Sequence, residues 1–226
     1  MSPRGVCCRI YTAIAGVLVG VTSMPGLAGA PGLSLPRVAI APQAQTSEWT
    51  FDSDRPGAVP AGARVLSGTW EVRAEPGAPT GPNALCQTGA AEFPAIVLSS
   101  STYADIAVDV AFKPVSGRED RAAGIIFRIQ DRENYYILRA NALEDNVNLY
   151  KYARGRRLEI SGSEAKVATG QWQRLGVEAI GSRLRGLLNG RQVVEATDAT
   201  FQRGGVGLWT KADSVSCFDN VRVAPR

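Results

Sequence analysis

The sequence predicts an all-β domain, a two-sheet antiparallel jelly-roll sandwich, and three observations carry that expectation. From Trp49 onward apolar and polar residues alternate with period two in run after run. Turn residues recur about every ten positions, and no segment holds a helical stripe of four turns or more. A dozen or more strands exceed an immunoglobulin-type sandwich and suit two curved sheets, while the lack of a fixed repeat argues against a propeller or solenoid.

The elements follow in chain order. Residues 1–30 read as an export signal: Arg4 and Arg9 precede an uncharged Ala/Val/Leu stretch, Pro25 breaks it, and Ala28-Gly29-Ala30 offers small residues for cleavage. The apolar stretch is shorter than the roughly 20 residues a membrane span needs, so no membrane attachment is expected after the signal is removed. Residues 31–47, with Pro36, Pro42 and two glutamines but no periodicity, form a linker. Residues 48–226 then form one domain. Run 103–113 sets Ile106, Val108, Val110 and Phe112 against Asp105, Ala107, Asp109 and Ala111. Runs 123–130, 135–141, 146–153, 157–161, 172–180, 183–188, 192–196, 206–209 and 216–223 complete the pattern. Asn189-Gly190 between two of them is a strong hairpin signal.

Composition narrows the chemistry. The chain has 25 Lys+Arg, 21 Asp+Glu and no histidine. Without histidine there is no Ser-His or Cys-His nucleophile pair and no imidazole base or ligand, which leaves carboxylate acid/base work, oxygen-ligand metals or binding. Loss of the signal takes two arginines, so the mature charge is 23 − 21 = +2. Arg154-Gly155-Arg156-Arg157 is the densest basic cluster and reads as a solvated hairpin tip, so nucleic acid is not an expected partner. Cys7 and Cys8 leave with the signal. Cys86 and Cys217 remain, an even pair in an oxidising compartment, and are expected to form a disulfide.

Strand parity nominates one polar and aromatic face. Arg128 falls opposite Phe127; Arg139 and Asn141 share a face with Tyr135 and Ile137; Asn148, Tyr150 and Tyr152 alternate against Val147 and Leu149. If the three strands are neighbours, Arg128, Arg139, Asn141, Asn148, Tyr150 and Tyr152 line one surface, where aromatic rings meet the C–H faces of a sugar and fixed donors meet its hydroxyls. A solvated face of a half-buried sheet is the competing reading. Glu144 and Asp145, in a loop beside this face, are the local carboxylates to nominate for acid/base work. Trp49, Trp70 and Trp172 read as core residues, and Trp209 as either core or ligand platform.

The segments Gly124-Ile125-Ile126-Phe127-Arg128, Asn134-Tyr135-Tyr136-Ile137-Leu138-Arg139-Ala140-Asn141, Trp172-Gln173-Arg174-Leu175-Gly176-Val177, Leu188-Asn189-Gly190, Gly205-Val206-Gly207-Leu208-Trp209 and Phe218-Asp219-Asn220-Val221 occur in that order. Together they resemble the laminin-G-like, exported bacterial branch of the concanavalin A-like jelly rolls, labelled as 3-keto-disaccharide hydrolase or family 16-like domains. The resemblance implies the jelly-roll fold over residues 49–223 and carbohydrate as substrate or ligand. Family 16 glycosidases carry Glu-x-Asp-x-x-Glu on one strand, a spacing absent from this chain. Related binding modules hold a structural calcium between terminal strands, which implies Asp52 and Asp219 as ligands; capping of a turn is the other reading of these aspartates.

Three functions stay open: a glycan-binding, lectin-like module without its own catalysis and needing no cofactor beyond the calcium just named; a glycoside hydrolase or 3-keto-glycoside hydrolase or lyase; and a laminin-G-like module that binds an exported protein. Each would work in the periplasm or outside the cell.

Overall fold

The period-two alternation folds into strands β1 (Ser47–Trp49), β2 (Arg64–Ser67), β3 (Trp70–Ala74), β4 (Asn83–Gln87), β5 (Ala95–Tyr103), β6 (Ile106–Ser116), β7 (Ala122–Asp131), β8 (Asn134–Asn141), β9 (Asn146–Ala153), β10 (Arg156–Glu164), β11 (Gln173–Ile180), β12 (Arg183–Leu188), β13 (Arg191–Thr197), β14 (Gly204–Trp209) and β15 (Val215–Pro225). The computed structural model describes residues 45–226, so the expected export signal and nearly all of the expected linker lie outside the described residues. One sheet runs β13-β12-β11-β6-β15-β4-β3 with β1 also on β15; the other runs β10-β9-β8-β7-β14-β5-β2. This is the two-sheet antiparallel sandwich expected from the sequence.

Side chains of one parity from each sheet meet between the layers. Val72, Leu85, Val108, Val110, Phe112, Leu175, Val177 and Phe218 from the first sheet pack with Ile96, Ile125, Phe127, Tyr136, Leu138, Leu149 and Leu208 from the second. The hairpins hold register. Asn189 and Gly190 both adopt positive φ (51° and 79°) between the paired residues Leu188 and Arg191, the two-residue turn that Asn-Gly favours. Arg154 and Gly155 do the same for β9 and β10.

The outer face of the first sheet carries ion pairs, Arg183–Glu195 and Arg185–Glu178 among them. It also carries the expected disulfide: Cys86 and Cys217 stand directly opposite each other on β4 and β15 and are bonded across 131 positions of sequence. Both are fully buried, with Trp172 and Val115 packed against them. Of the other tryptophans, Trp70 lies in the core and Trp49 packs against it.

The outer face of the second sheet departs from an ordinary sandwich. Ala95, Val97, Ile126, Ile137, Tyr135, Tyr150 and Trp209 form a second apolar cluster there, with Phe93 and Tyr152 packed on it. An outer face would normally meet water; here the β4–β5 connection folds Phe93 back over it.

Candidate functional site

Antiparallel register sets side chains of β7, β8, β9 and β14 in rows across this outer face. One row runs Trp209, Gly124, Arg139, Asn148. The next runs Ile126, Ile137, Tyr150, and beyond it Tyr135 stands opposite Tyr152. Five of the six nominated binding residues therefore share the face that parity predicted: Arg139, Asn141, Asn148, Tyr150 and Tyr152.

Arg128 does not join them. Its φ of +50° and the register shift between Phe127 and Asp131 break the alternation, and the guanidinium turns into the end of the sandwich. There it is fully buried, donating to the carbonyls of Ala104 and Phe201 at 2.9–3.1 Å, with Asp105 at 3.6 Å. Burial pushes its pKa down against the opposing pull of Asp105. Its role is to tie loops together.

Four of the five, all but Tyr152, are held by polar contacts. Arg139 Nη2 donates to Glu144 at 2.7 Å and to Asn146 Oδ1 at 2.8 Å. Asn148 Nδ2 donates to the Tyr150 hydroxyl at 3.0 Å and to Glu159 at 2.9 Å. Asn141 donates to the fully buried Asp120 at 2.6 Å, and Lys211 pairs with the other oxygen of that carboxylate. The buried charge is thus paired and hydrogen-bonded, as a low-dielectric setting requires.

Aromatic packing fills the rest. Phe93 stacks on Trp209 with centroids 5.8 Å apart and meets the edge of Tyr152, which stacks on Tyr135 at 5.0 Å. Arg157 was expected at a solvated hairpin tip. Instead its guanidinium sits 5.2 Å from the Phe93 ring and 4.8 Å from Tyr150, while Arg139 covers Tyr150 at 5.4 Å. Tyr150 is bracketed by two cations. A hollow of about 190 Å³ opens beside Tyr135 and Tyr152, bordered by Phe93 and Glu92.

Hydrogen-bonding capacity on this face is unbalanced. Arg139 Nε and Arg157 Nη1 are buried without a hydrogen-bond partner, and both are donors; the buried Trp209 indole N–H faces the Tyr135 hydroxyl. Burial raises the pKa values of Tyr135, Tyr150 and Tyr152, so their hydroxyls stay protonated at physiological pH and add further donors. The face calls for a partner rich in acceptors.

The two carboxylates nominated for acid/base work are both paired. Burial tends to raise the Glu144 pKa, but hydrogen bonds from Asn146 and Arg139 and the Arg139 charge outweigh it, and the net shift is downward. Asp145 is lowered by its hydrogen bonds from Lys166 and the Val167 amide. Carboxylates held ionised in this way are poor proton donors to a leaving group.

Asp52 and Asp219 both meet the β3–β4 connection. Asp52 accepts from the Asn83 amide at 3.1 Å; Asp219 accepts from the Thr80 amide at 2.9 Å, the Thr80 hydroxyl at 2.7 Å and the Asn220 amide at 2.6 Å. Three donors spread over both oxygens make Asp219 a turn cap and not an open calcium ligand, while Asp52 holds one backbone amide through Oδ1.

Sequence reasoning missed Phe93, Arg157, Asp120 and Lys211 as parts of this face, since all but Arg157 lie in loops whose fold-back has no periodic signal. Phe93, a lone aromatic in Gly89-Ala90-Ala91-Glu92-Phe93-Pro94, was the visible hint.

Residues 45–224 match the 3-keto-alpha-glucoside-1,2-lyase-like domain. The chain belongs to that family. It is also 27% identical over 165 residues to the levanase of Bacillus subtilis (strain 168), a match covering 71% of this chain and 22% of the levanase, so it spans less than a quarter of that enzyme's length. Among solved structures, the carbohydrate-binding module CBM66 from Bacillus subtilis superposes with a TM-score of 0.61 at 24% identity, covering 71% of this chain and 94% of the module. The Bacillus licheniformis beta-glucanase gives a TM-score of 0.54 at 12% identity, covering 81% of this chain and 99% of the glucanase. These two structural likenesses establish the jelly-roll fold of this family member.

Proposed function

We propose that this domain is an exported carbohydrate-binding module whose ligand lies on the outer face of the second sheet, against Arg139, Asn148, Tyr150, Tyr152 and Arg157. The observation that carries this reading is the pair of buried, unpartnered donors, Arg139 Nε and Arg157 Nη1, bracketing the Tyr150 ring on one face. Sugars combine apolar C–H faces with hydroxyl acceptors, and sites with stacked rings and fixed donors suit them. The likeness to a carbohydrate-binding module and to part of a levanase supports this assignment. The disulfide suits an oxidising compartment, consistent with export.

Native mass spectrometry of the chain from residue 31, with a panel of neutral, acidic and 3-keto oligosaccharides, tests the proposal. An intact sugar adduct without fragments supports it, and alanine at both Arg139 and Tyr150 should weaken that adduct about tenfold or more. Unchanged affinity in that double variant would defeat the assignment of the face.

A second reading rests on the family description, which names a lyase-like domain. The enzymatic reading predicts shortened or eliminated products from a keto-disaccharide, lost on changing Glu144 or Asp145. Such products would replace the binding-only reading. A bare protein with every sugar would instead favour a protein ligand.

A further inference from the structure

A second cavity, of about 590 Å³, lies on the β7, β14, β5 and β2 side of the second sheet and is not used by the aromatic cleft. Arg64 from β2 and Arg203 from the approach to β14 line it, with Ser100 and Thr102 from β5. Both arginines are exposed, and neither has a carboxylate within ion-pairing distance among the described residues, although twelve other ion pairs form. Val97 and Ile129, members of the outer apolar cluster, supply a nonpolar surface.

Gly204 and Gly205 border the cavity where a side chain has no room: a Cβ on Gly204 would stand 2.4 Å from the Ile129 carbonyl oxygen, and one on Gly205 would stand 2.7 Å from that of Ser99. Gln130 donates to the carbonyls of Arg128 and Arg203, which fixes the backbone that carries the Arg203 side chain. Two forked cations and two hydroxyls around an apolar patch match a ring that bears an anionic group.

We infer that this pocket binds an acidic sugar unit, one carrying a carboxylate or sulfate ester, at a site separate from the Arg139 and Tyr150 face. Arg64 and Arg203 pair with the anion, Ser100 and Thr102 donate to ring oxygens, and Val97 and Ile129 take the C–H face. Arg64 on β2 and Arg139 on β8 are offset by four strand spacings of about 4.8 Å, about 19 Å across the sheet. The inference rests on the glycan reading and extends it to a ligand class.

Isothermal titration of the whole chain with a glucuronate-terminated oligosaccharide, its neutral glucose-terminated counterpart and inorganic sulfate tests it. The acidic sugar should bind about ten- to hundredfold more tightly than the neutral one, with a preference that shrinks as salt rises. Arg64→Ala/Arg203→Ala should erase that preference while neutral binding and Tm stay unchanged, because neither side chain has a protein partner. Arg64→Lys/Arg203→Lys should restore part of it. An Arg139→Ala variant should instead weaken both sugars. Equal affinity for the two sugars, or a preference that survives the Arg64/Arg203 double variant, overturns the inference while leaving the glycan reading intact. Sulfate binding as tightly as the acidic sugar overturns the sugar-specific part. Failure of both sugars to bind removes the glycan reading and this inference with it.

Discussion

Breaking the Cys86–Cys217 bond should cost the domain about 5 kcal/mol. The bond closes a loop of 131 positions, and the chain-entropy relation gives about 17 cal/mol/K for such a closure, hence about 5 kcal/mol at 25 °C, gained by restricting the unfolded chain. Little folded-state energy is lost with it: neighbouring Glu75 keeps its ion pairs to Arg73 and Lys113, and β4 and β15 keep their backbone ladder. Domains of this kind have about 5–15 kcal/mol in all, so a third or more disappears, equivalent to about 10–20 °C in Tm. The assay is urea unfolding of the oxidised wild type and Cys86→Ala/Cys217→Ala, followed by circular dichroism and tryptophan fluorescence. The entropic origin makes two further demands. The double variant should show a larger m-value, because its unfolded chain is no longer cross-linked, and each single alanine variant should cost nearly as much as the double, because either one breaks the same tie. A loss below about 1 kcal/mol, or single-variant costs that add, would refute the reasoning.

Three further outcomes are expected. Asp198 accepts from Lys151 Nζ, the Tyr136 hydroxyl and the Thr200 amide; burial pushes its pKa up, but these bonds outweigh it and hold the carboxyl far below its usual range. The unfolded state therefore binds the proton first, so its contribution is present above about pH 4 and is lost as pH falls further; Asp198→Asn should flatten the acid limb of a stability profile, and parallel limbs would contradict this. Tyr136→Phe strands the buried Phe201 amide and should cost about 1–3 kcal/mol in urea unfolding, with wild-type stability as the contrary result. Gly124→Ala would set a Cβ 2.8 Å from the Leu138 carbonyl oxygen and 3.3 Å from the Trp209 ring, so it should destabilise by about 1–3 kcal/mol and weaken sugar binding by titration; a silent substitution would show that Trp209 does not shape the face.

The sandwich and most of the face were legible in the sequence because both follow from period two. Tyr136, Leu138 and Leu149 point inward, and Tyr135, Arg139 and Tyr150 outward, as alternation requires. The disulfide was legible from the export signal, which removes Cys7 and Cys8 and leaves Cys86 and Cys217 as one pair in an oxidising compartment. Arg128 was not: a single left-handed residue inverts the parity beyond it, and an arginine at that position has no sequence signal of a bulge.

What only the tertiary structure decided is what covers the outer face and which charges meet there. Phe93, Asp120 and Lys211 come from loops, and Arg157 from a strand whose neighbour across space is set by hairpin register, so their convergence depends on backbone paths that no local pattern encodes. The unpartnered Arg64 and Arg203 likewise became a pair only when β2 and the approach to β14 reached the same cavity, since strands adjacent in a sheet need not be adjacent in sequence. Alternation fixes which way a side chain points, and the order of strands fixes what it meets.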